Sequence, residues 1–307
     1  MKKRFKGIGT ILKETYKGWN ADDPFRQSAV IAYYAIFSLP ALLVLIINVA
    51  GFFFGKDAVA GEIYTQVQGV MGDETAQQVS EIVSKAGETK AGIISSIIAI
   101  ITIIFGATGV FVQLQKTFNL IFDVSQKEMK GIKMMKSRLF SFGLIISIGF
   151  LLLMSLVISS VLAATSHWLE SFFNEAIAYL FYALEFILSL TVISALFSIM
   201  FKVLPDVKMR WRDVILGSIL TGILFTLGKY GLSFYFGKAE PASAYGAAGS
   251  IILILLWVSY SSMIVFFGAE FIKQYAVYHG NEILPSEDAE EIKNNNTLVK
   301  EKKVTTK

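Results

Sequence analysis

The chain has 307 residues, of which 54% are hydrophobic and 17% are charged, and its mean hydropathy is +0.58. A soluble domain of this size could not bury so much apolar surface, so the composition excludes an ordinary soluble protein and favours a membrane protein. The net charge of +4 would suggest a nucleic-acid partner in a soluble protein. In a membrane protein, basic residues face the anionic inner leaflet instead, and we expect no nucleic-acid partner. The absence of cysteine excludes disulfides and thiolate metal sites.

Residues 5–19 have the spacing of an amphipathic helix, and we treat residues 1–23 as a cytoplasmic N-terminal unit. The apolar stripe consists of Phe5, Ile8, Leu12, Tyr16 and Trp19. Such a helix lies in the inner membrane interface or packs on the cytoplasmic ends of the spans, and the pattern favours neither. The sequence Asp22-Asp23-Pro24 then predicts a new helix, capped by an Asp and with Pro24 in its first turn.

Six long apolar segments follow, each long enough to cross a hydrocarbon core of ~30 Å. They cover residues 29–54, 92–114, 139–164, 177–201, 214–236 and 251–272. The intervening loops and the two termini alternate in positive charge, with 23 Lys and Arg residues on one side and 4 on the other. Because positive charge stays in the cytoplasm, the pattern predicts an all-α protein that crosses the bacterial inner membrane six times. Both termini would be cytoplasmic, and the spanning domain would cover residues 24–280.

Pro40 lies in the middle of the first span. Proline removes one backbone hydrogen bond and pushes against the carbonyl of Ile36, so we expect a kink there. Ser38 or a neighbouring helix could satisfy the freed carbonyl. The kink is a candidate hinge, although static packing is the commoner role of such a proline.

Two segments outside the spans have contrasting patterns. Residues 55–91 contain two apolar stripes at helical spacing, separated by Gly72-Asp73, and the second stripe ends at Gly87. They predict two short amphipathic helices that form an extracytoplasmic hairpin between the first and second spans. The C-terminal residues are mostly charged and polar, so we expect a disordered cytoplasmic tail over residues 281–307.

Three ionisable residues lie within the predicted spans: Glu185, Lys229 and Glu270. A lone charge in lipid costs about 2.5–3.5 kcal/mol on insertion scales, so each is a functional candidate. Counted at 1.5 Å per residue, Glu185 and Lys229 lie roughly 12 and 10 Å below the outer boundary, and Asn48 lies near that level. These three form a candidate intramembrane polar site, either a static ion pair or a site for substrate or a proton. Glu270 is a weaker candidate, because it could snorkel to the inner interface or contact Lys273.

Signatures of soluble enzymes are missing. The chain contains neither a GxxxxGK[ST] phosphate loop nor an HExxH motif. Its two histidines, His167 and His279, fall on opposite sides of the predicted membrane, so they cannot build one metal site within the chain. We therefore expect no catalytic residue, no cofactor and no enzymatic activity. Membrane lipids are the expected partners, and the pattern leaves the oligomeric state open.

Short motifs between residues 20 and 275 resemble those of the YihY/BrkB family of bacterial membrane proteins, some of which carry the label ribonuclease BN. Each motif is weak alone, and their order and spacing on six spans carry the resemblance. They are Ala32-Tyr33-Tyr34, Ser38-Leu39-Pro40, Phe118-Asn119-Leu120-Ile121, Leu204-Pro205-Asp206-Val207, Trp211-Arg212, Tyr245-Gly246, Trp257 and Gly268-Ala269-Glu270. Two small departures are Phe122, where tryptophan is frequent, and Gly217-Ser218, where Gly-Ala is usual.

The resemblance implies an inner-membrane protein, and transport of lipid-like or envelope precursors has been suggested for some relatives. The ribonuclease label looks like a misassignment, because a nuclease needs a metal cluster or an equivalent acid–base set. We expect a transporter or flippase-like protein for an amphiphilic or lipid-linked envelope substrate, with a lipid-like or an anionic molecule as the candidate partner. The alternative is a non-transporting membrane scaffold for an envelope-assembly partner. A water-filled cavity around Glu185 and Lys229 would favour transport, and a dry bundle would favour the scaffold.

Overall fold

The computed structural model of the chain describes residues 2–88, 109–127, 175–239, 241, 245, 248–287 and 289–292. Most of these residues are helical. The helices are α1 (Lys2–Ala21), α2 (Pro24–Phe54), α3 (Lys56–Met71), α4 (Asp73–Glu88), α5 (109–121), α6 (Glu175–Val203), α7 (Trp211–Ala239) and α8 (Gly249–Tyr278). Short strands are β1 (Val124–Gln126), β2 (Val207–Lys208), β3 (Leu284–Pro285) and β4 (Ala289–Glu291).

Among the described residues, three helices are long and apolar enough to cross a membrane, namely α6, α7 and α8. They cover the predicted fourth, fifth and sixth spans. The 31-residue α2 covers the predicted first span. The predicted third span, 139–164, and most of the second, 92–114, lie outside the described residues. The total of six spans therefore remains a prediction.

The long helices pack through small residues. Helix α8 lies against both α2 and α7, and α7 also packs on α6. A Cβ atom added to Gly268 of α8 would lie 1.8 Å from Oγ1 of Thr221, and one added to Gly222 would lie 2.7 Å from Oγ of Ser194. Glycine at these positions lets the helix backbones approach closely, as is common in membrane bundles.

Helix α1 runs antiparallel to the C-terminal part of α8. Its Gly7 packs against Tyr278 and its Gly18 against Glu270. Buried Ile11 and Thr15 lie between these glycines on the same helical face. The structure therefore favours the second of the two predicted positions, packing on the bundle.

The predicted apolar stripe of α1 does not form this contact. Ile8 is 50% exposed and Tyr16 is 60% exposed. Trp19 is the exception, because its Nε1 donates a hydrogen bond to the carbonyl oxygen of Met263 at 3.0 Å. The sequence pattern identified an amphipathic helix, but it did not identify the face that packs on α8. That face contains glycine and threonine as well as an apolar residue.

Helix α2 begins at Pro24 as predicted, but its predicted cap is wrong. Asp23 has φ 52°, in the left-handed region, and its side chain makes no capping hydrogen bond. Its Oδ2 lies 2.9 Å from Nε of Arg26 instead. Capping through a side chain requires an extended backbone at this residue, which the sharp turn from α1 into α2 does not provide.

The helix continues through Pro40 without interruption. Ser38 donates a hydrogen bond to the carbonyl oxygen of Ala35 at 3.2 Å, so the prediction that it could satisfy Ile36 does not hold. The side chain of Pro40 lies outside the description, and its role as a hinge remains a prediction.

Helices α3 and α4 lie where two short helices are predicted, and they pack on each other. Gly72 separates them with φ 88°, a conformation that favours glycine. Asp73 at the start of α4 accepts hydrogen bonds from Tyr64, at 2.5 Å, and from Gln68, at 2.9 Å. The side of the membrane on which this pair lies remains a prediction.

The C-terminal segment forms strands, so the predicted disorder is wrong for residues 281–287 and 289–292. Strand β3 pairs antiparallel with β2, and β4 pairs antiparallel with β1. Ala289 is buried in the core, and the amide of Ile292 donates to the carbonyl of Asp123 at 2.8 Å. These backbone bonds use partners that lie far away in the sequence, and composition alone does not reveal them. Residues 293–307 lie outside the description.

Among the described residues, a large cluster of buried apolar side chains lies at one end of the bundle. Phe118 of α5 packs edge-on against Phe201 of α6, at 5.6 Å between ring centroids, and against Phe266 of α8, at 6.3 Å. We call this region the loop end: the C-terminal ends of α5, α6 and α8, the N-terminal end of α7, and the four strands meet there. By the charge pattern, the loop end is the predicted cytoplasmic end.

Candidate functional site

A buried carboxyl group marks the loop end. Glu270, near the C-terminal end of α8, is 1% exposed. Its Oε1 accepts a hydrogen bond from Gln274 at 2.7 Å, whereas its buried Oε2 has no hydrogen-bond partner among the described residues. The prediction that Glu270 could snorkel to the interface is wrong, because Gly18 of α1 packs directly on its carboxyl group.

The charges around Glu270 are unbalanced. Lys273 places Nζ 2.6 Å from Oδ2 of Asp123, so its ammonium group is already paired. Asp22, directly after α1, also acts on Glu270 electrostatically. Burial raises the pKa of Asp22 from 3.8 to about 6, while Lys273 opposes this rise and Asp123 adds to it. Within the described part of the chain, this cluster therefore sets three carboxyl groups around one ammonium group.

A second polar contact joins two of the family-like motifs. Asn119 donates from Nδ2 to Oδ2 of Asp206 at 2.7 Å, and the amide of Asp206 donates back to Oδ1 of Asn119 at 2.9 Å. Gln115 also donates to both carboxylate oxygens of Asp206, at 3.2 Å each. This two-way bond fixes the loop after α6, including buried Pro205, to α5. Its geometry is that of a structural clasp.

A third contact ties the end of α8 to the start of α7. Asn281 donates to Oδ1 and Oδ2 of Asp213, at 3.1 and 3.0 Å, and accepts from Nη1 of Arg210 at 2.6 Å. Asp213 is buried in the first turn of α7, where the helix dipole favours a negative charge. These residues connect helices, and sequence reasoning missed all three.

A groove of about 520 Å³ runs between α6 and α7. Its walls are mostly aliphatic, and Thr191, Ser194 and Ser198 place hydroxyl groups along the α6 side. Thr191 and Ser198 donate within their own helix, whereas Oγ of Ser194 has no partner among the described residues. Trp211 lines the groove near the loop end. The groove thus combines an apolar surface with a few hydroxyl groups.

A basic side chain, Lys202, contacts that tryptophan. Its Nζ lies 5.5 Å from the centroid of the Trp211 ring, in a cation–π contact, and also donates to the carbonyl of Met209. Trp211 is 53% exposed. A half-exposed tryptophan beside a lysine is typical of a membrane interface.

The predicted intramembrane site is only partly described. Lys229 of α7 donates to Oε1 of Gln66 in α3 across a long 3.5 Å, a partner that the sequence did not predict. Glu185 lies on α6 and Asn48 on α2, but their side chains lie outside the description. Whether Glu185 and Lys229 pair therefore remains a prediction.

Two other motif residues contact neighbouring aromatic rings. Tyr33 is exposed and lies edge-on to Phe37 at 5.1 Å. Trp257 packs edge-on against Phe225 at 5.8 Å. Gly246 lies outside the described residues.

The described residues hold no group of three or more His, Asp or Glu side chains arranged to bind a metal ion. Lys273 forms an ion pair with Asp123. Sequence reasoning missed Asp22, and the only available signal was its place beside a helix boundary.

Comparison with known proteins decides the family. A family model described as "Virulence factor BrkB" matches residues 15–293, most of the chain. The chain belongs to the BrkB family. The resemblance seen in its short motifs is thus confirmed. No solved structure matches the chain.

Several bacterial relatives carry the name "UPF0761 membrane protein". The protein of Saccharophagus degradans is 23% identical over 273 residues, which is 88% of this chain and 60% of the relative. That of Pseudoalteromonas atlantica is 26% identical over 262 residues, 82% of this chain and 81% of the relative. That of Tolumonas auensis is 32% identical over 120 residues, 38% of each chain. This chain thus spans less than two thirds of the first relative, and the relatives' names state a membrane location without an activity.

Proposed function

We propose that the chain moves an amphiphilic, lipid-like substrate across or within the bacterial inner membrane. The proposal assigns it no catalytic residue and no cofactor. The observation that carries it is the groove between α6 and α7, because its volume and its aliphatic walls suit one acyl chain. The three hydroxyl groups along one wall could form hydrogen bonds with the polar head group of such a lipid as it moves along the groove.

The charge at the loop end supports an anionic head group. Lys202 lies beside Trp211, and Arg212 is exposed next to it in the sequence. An acyl chain in the groove would bring its head group to this basic end, where a phosphate accepts hydrogen bonds from cationic side chains. We therefore infer an anionic lipid as the occupant, with its tail along α6.

Filling the groove tests this proposal. Ala195 lines the groove, whereas Leu188, on the same helix, is exposed and does not line it. In proteoliposomes that contain a fluorescent anionic phospholipid, we expect Ala195→Trp to lower the rate of lipid transfer between leaflets and Leu188→Trp to leave it unchanged. Equal rates for both variants, or no transfer above protein-free vesicles, would sink the proposal.

Native mass spectrometry gives a second measurement on the same proteins. The chain should retain anionic phospholipid when released from detergent, and Ala195→Trp should retain less than Leu188→Trp. Retention with no transfer would favour a lipid-binding scaffold over a transporter.

We also propose that both termini lie in the cytoplasm and that α3 lies outside. The chain has no cysteine, so single cysteines report topology without a background. Gly9 of α1 and Gly61 of α3 are matched positions, because a Cβ at either would meet nothing within 4 Å. In intact spheroplasts an impermeant maleimide should label Gly61→Cys, and it should label Gly9→Cys only after lysis. Labelling of Gly9→Cys before lysis would show that the N-terminus lies outside, contrary to the proposed topology.

A further inference from the structure

The contact between α1 and α8 closes over a buried carboxyl group. Gly18 approaches so closely that an added Cβ would lie 2.0 Å from Oε1 of Glu270. The neighbouring Oε2 has no hydrogen-bond partner among the described residues. A carboxylate in such a place would be buried with Gln274, a neutral donor, on one oxygen, and an ionised group so poorly solvated is strongly disfavoured.

The charged groups around Glu270 relieve this problem only in part. They come from three elements: Lys273 from α8 itself, Asp22 from the end of α1, and Asp123 from the turn after α5. The ammonium of Lys273 is paired with Asp123 at 2.6 Å. Asp22 brings a like charge, which disfavours a second ionised carboxyl group nearby.

We propose that Glu270 is a proton-binding site covered by α1, and that release of its proton is coupled to undocking of α1 from α8. With α1 docked, Glu270 is neutral beside Gly18. When α1 lifts, water reaches the carboxyl group, the proton leaves for solvent, and the ionised form opposes re-docking. Proton binding and docking thus favour each other by linkage. The inference does not depend on the proposed lipid transport.

The direction of the pH effect follows from Asp22 as well. Burial in the docked state raises its pKa from 3.8 to about 6. A raised carboxyl pKa gives docking its full stability below the ordinary value, and that stability is lost as the pH rises through about 6. Titration of Asp22 should therefore weaken docking as the pH rises from about 4 through about 6.

A buried thiol tests this coupling. Thr15 is 0% exposed on the docked face of α1, and its hydroxyl donates to the carbonyl of Ile11 one turn earlier. In the full-length, cysteine-free background in lipid nanodiscs, Thr15→Cys should react with a water-soluble maleimide only when α1 is undocked. Exposed Gly9→Cys, on the same helix, is the control that corrects for the greater reactivity of any thiol at higher pH.

We expect the labelling rate of Thr15→Cys, divided by that of Gly9→Cys, to rise with pH, by up to about tenfold per pH unit for one released proton. Adding Glu270→Gln, which stays neutral, should keep the thiol of Thr15→Cys better protected and remove the part of the rise that Glu270 contributes, leaving the part due to Asp22. A ratio independent of pH would overturn the proposal, and so would an unchanged rise in the Glu270→Gln background. Infrared difference spectra in an Asp22→Asn background give a second measurement: a protonated carboxyl band of the docked protein should be absent when Glu270→Gln is added, and its persistence there would also overturn the assignment.

Discussion

The carboxyl group of Glu270 fills the space that a side chain at Gly18 would need. A Cβ at Gly18 would lie 2.0 Å from Oε1 and 2.6 Å from Cδ of Glu270. The approach of α1 to α8 therefore depends on glycine at this position. The same contact buries the carboxyl group that closes the family-like Gly268-Ala269-Glu270 motif.

The first prediction concerns this contact. We expect Gly18→Ala to loosen α1 and to destabilise the protein by about 1–3 kcal/mol, the usual cost of overpacking. Thermal unfolding in detergent and proteolysis of the N-terminal helix measure it. Gly9→Ala is the matched control, since Gly9 has open space around it and alanine is the better helix former. Equal losses for both variants would contradict the packing argument.

The second prediction concerns the crossing of α7 and α8. Gly268→Ala should place a methyl group 1.8 Å from Oγ1 of Thr221 and destabilise the bundle by about 1–3 kcal/mol. Thr221→Ala removes that oxygen, so the double variant should lose less stability than the sum of the losses in the two single variants. A double-mutant cycle on thermal unfolding measures the coupling, and strictly additive losses would show that the two residues do not meet.

The third prediction concerns the Asn119–Asp206 clasp. Asn119→Asp replaces the Nδ2 donor by a second carboxylate oxygen facing Asp206. Loss of a buried hydrogen bond costs about 1–3 kcal/mol, and like charge adds to it. Unfolding temperatures should fall at neutral pH and recover partly at acidic pH. Lys116→Gln, at an exposed position of the same helix, should leave them unchanged.

The fourth prediction concerns pH. Because burial raises the pKa of Asp22 to about 6, wild-type stability should fall as the pH rises from about 4 through about 6. Asp22→Asn cannot ionise and should reduce this slope in thermal unfolding. Asp23→Asn, at the exposed neighbour that pairs with Arg26, should keep the wild-type slope. A slope unaffected by Asp22→Asn would show that Asp22 is solvated in the folded protein.

The fifth prediction concerns the intramembrane charges. If Glu185 and Lys229 pair only to hold helix register, exchanging them should restore the folding and the activity that either single change lowers. We expect folding to recover and lipid transfer to remain low, because a substrate or proton site depends on which helix carries each charge. Expression level and transfer rate in proteoliposomes measure the two effects. Full recovery of both would assign the pair a structural role only.

The long apolar helices α6, α7 and α8 could be predicted because runs of apolar residues are local in sequence and only a helix satisfies its own backbone in lipid. The start of α2 at Pro24 was also predictable from local sequence, because proline fits the first turn of a helix. The burial of Glu270 was not predictable, because depth along a span does not reveal that α1 folds back over it. The C-terminal strands also depend on partners more than 70 residues away.

The amino-acid sequence by itself determined that this protein belongs in a membrane, which segments are apolar enough to cross it, and which family its motifs resemble. Those properties depend on composition and on neighbouring residues. Only the tertiary structure decided which face of α1 packs, that Asn119 holds Asp206, and that Glu270 lies buried beside Asp22. Each of these contacts forms between segments that are distant in the chain. Such contacts depend on small residues as well as large ones, because glycine at position 18 leaves the space in which the carboxyl group of Glu270 lies.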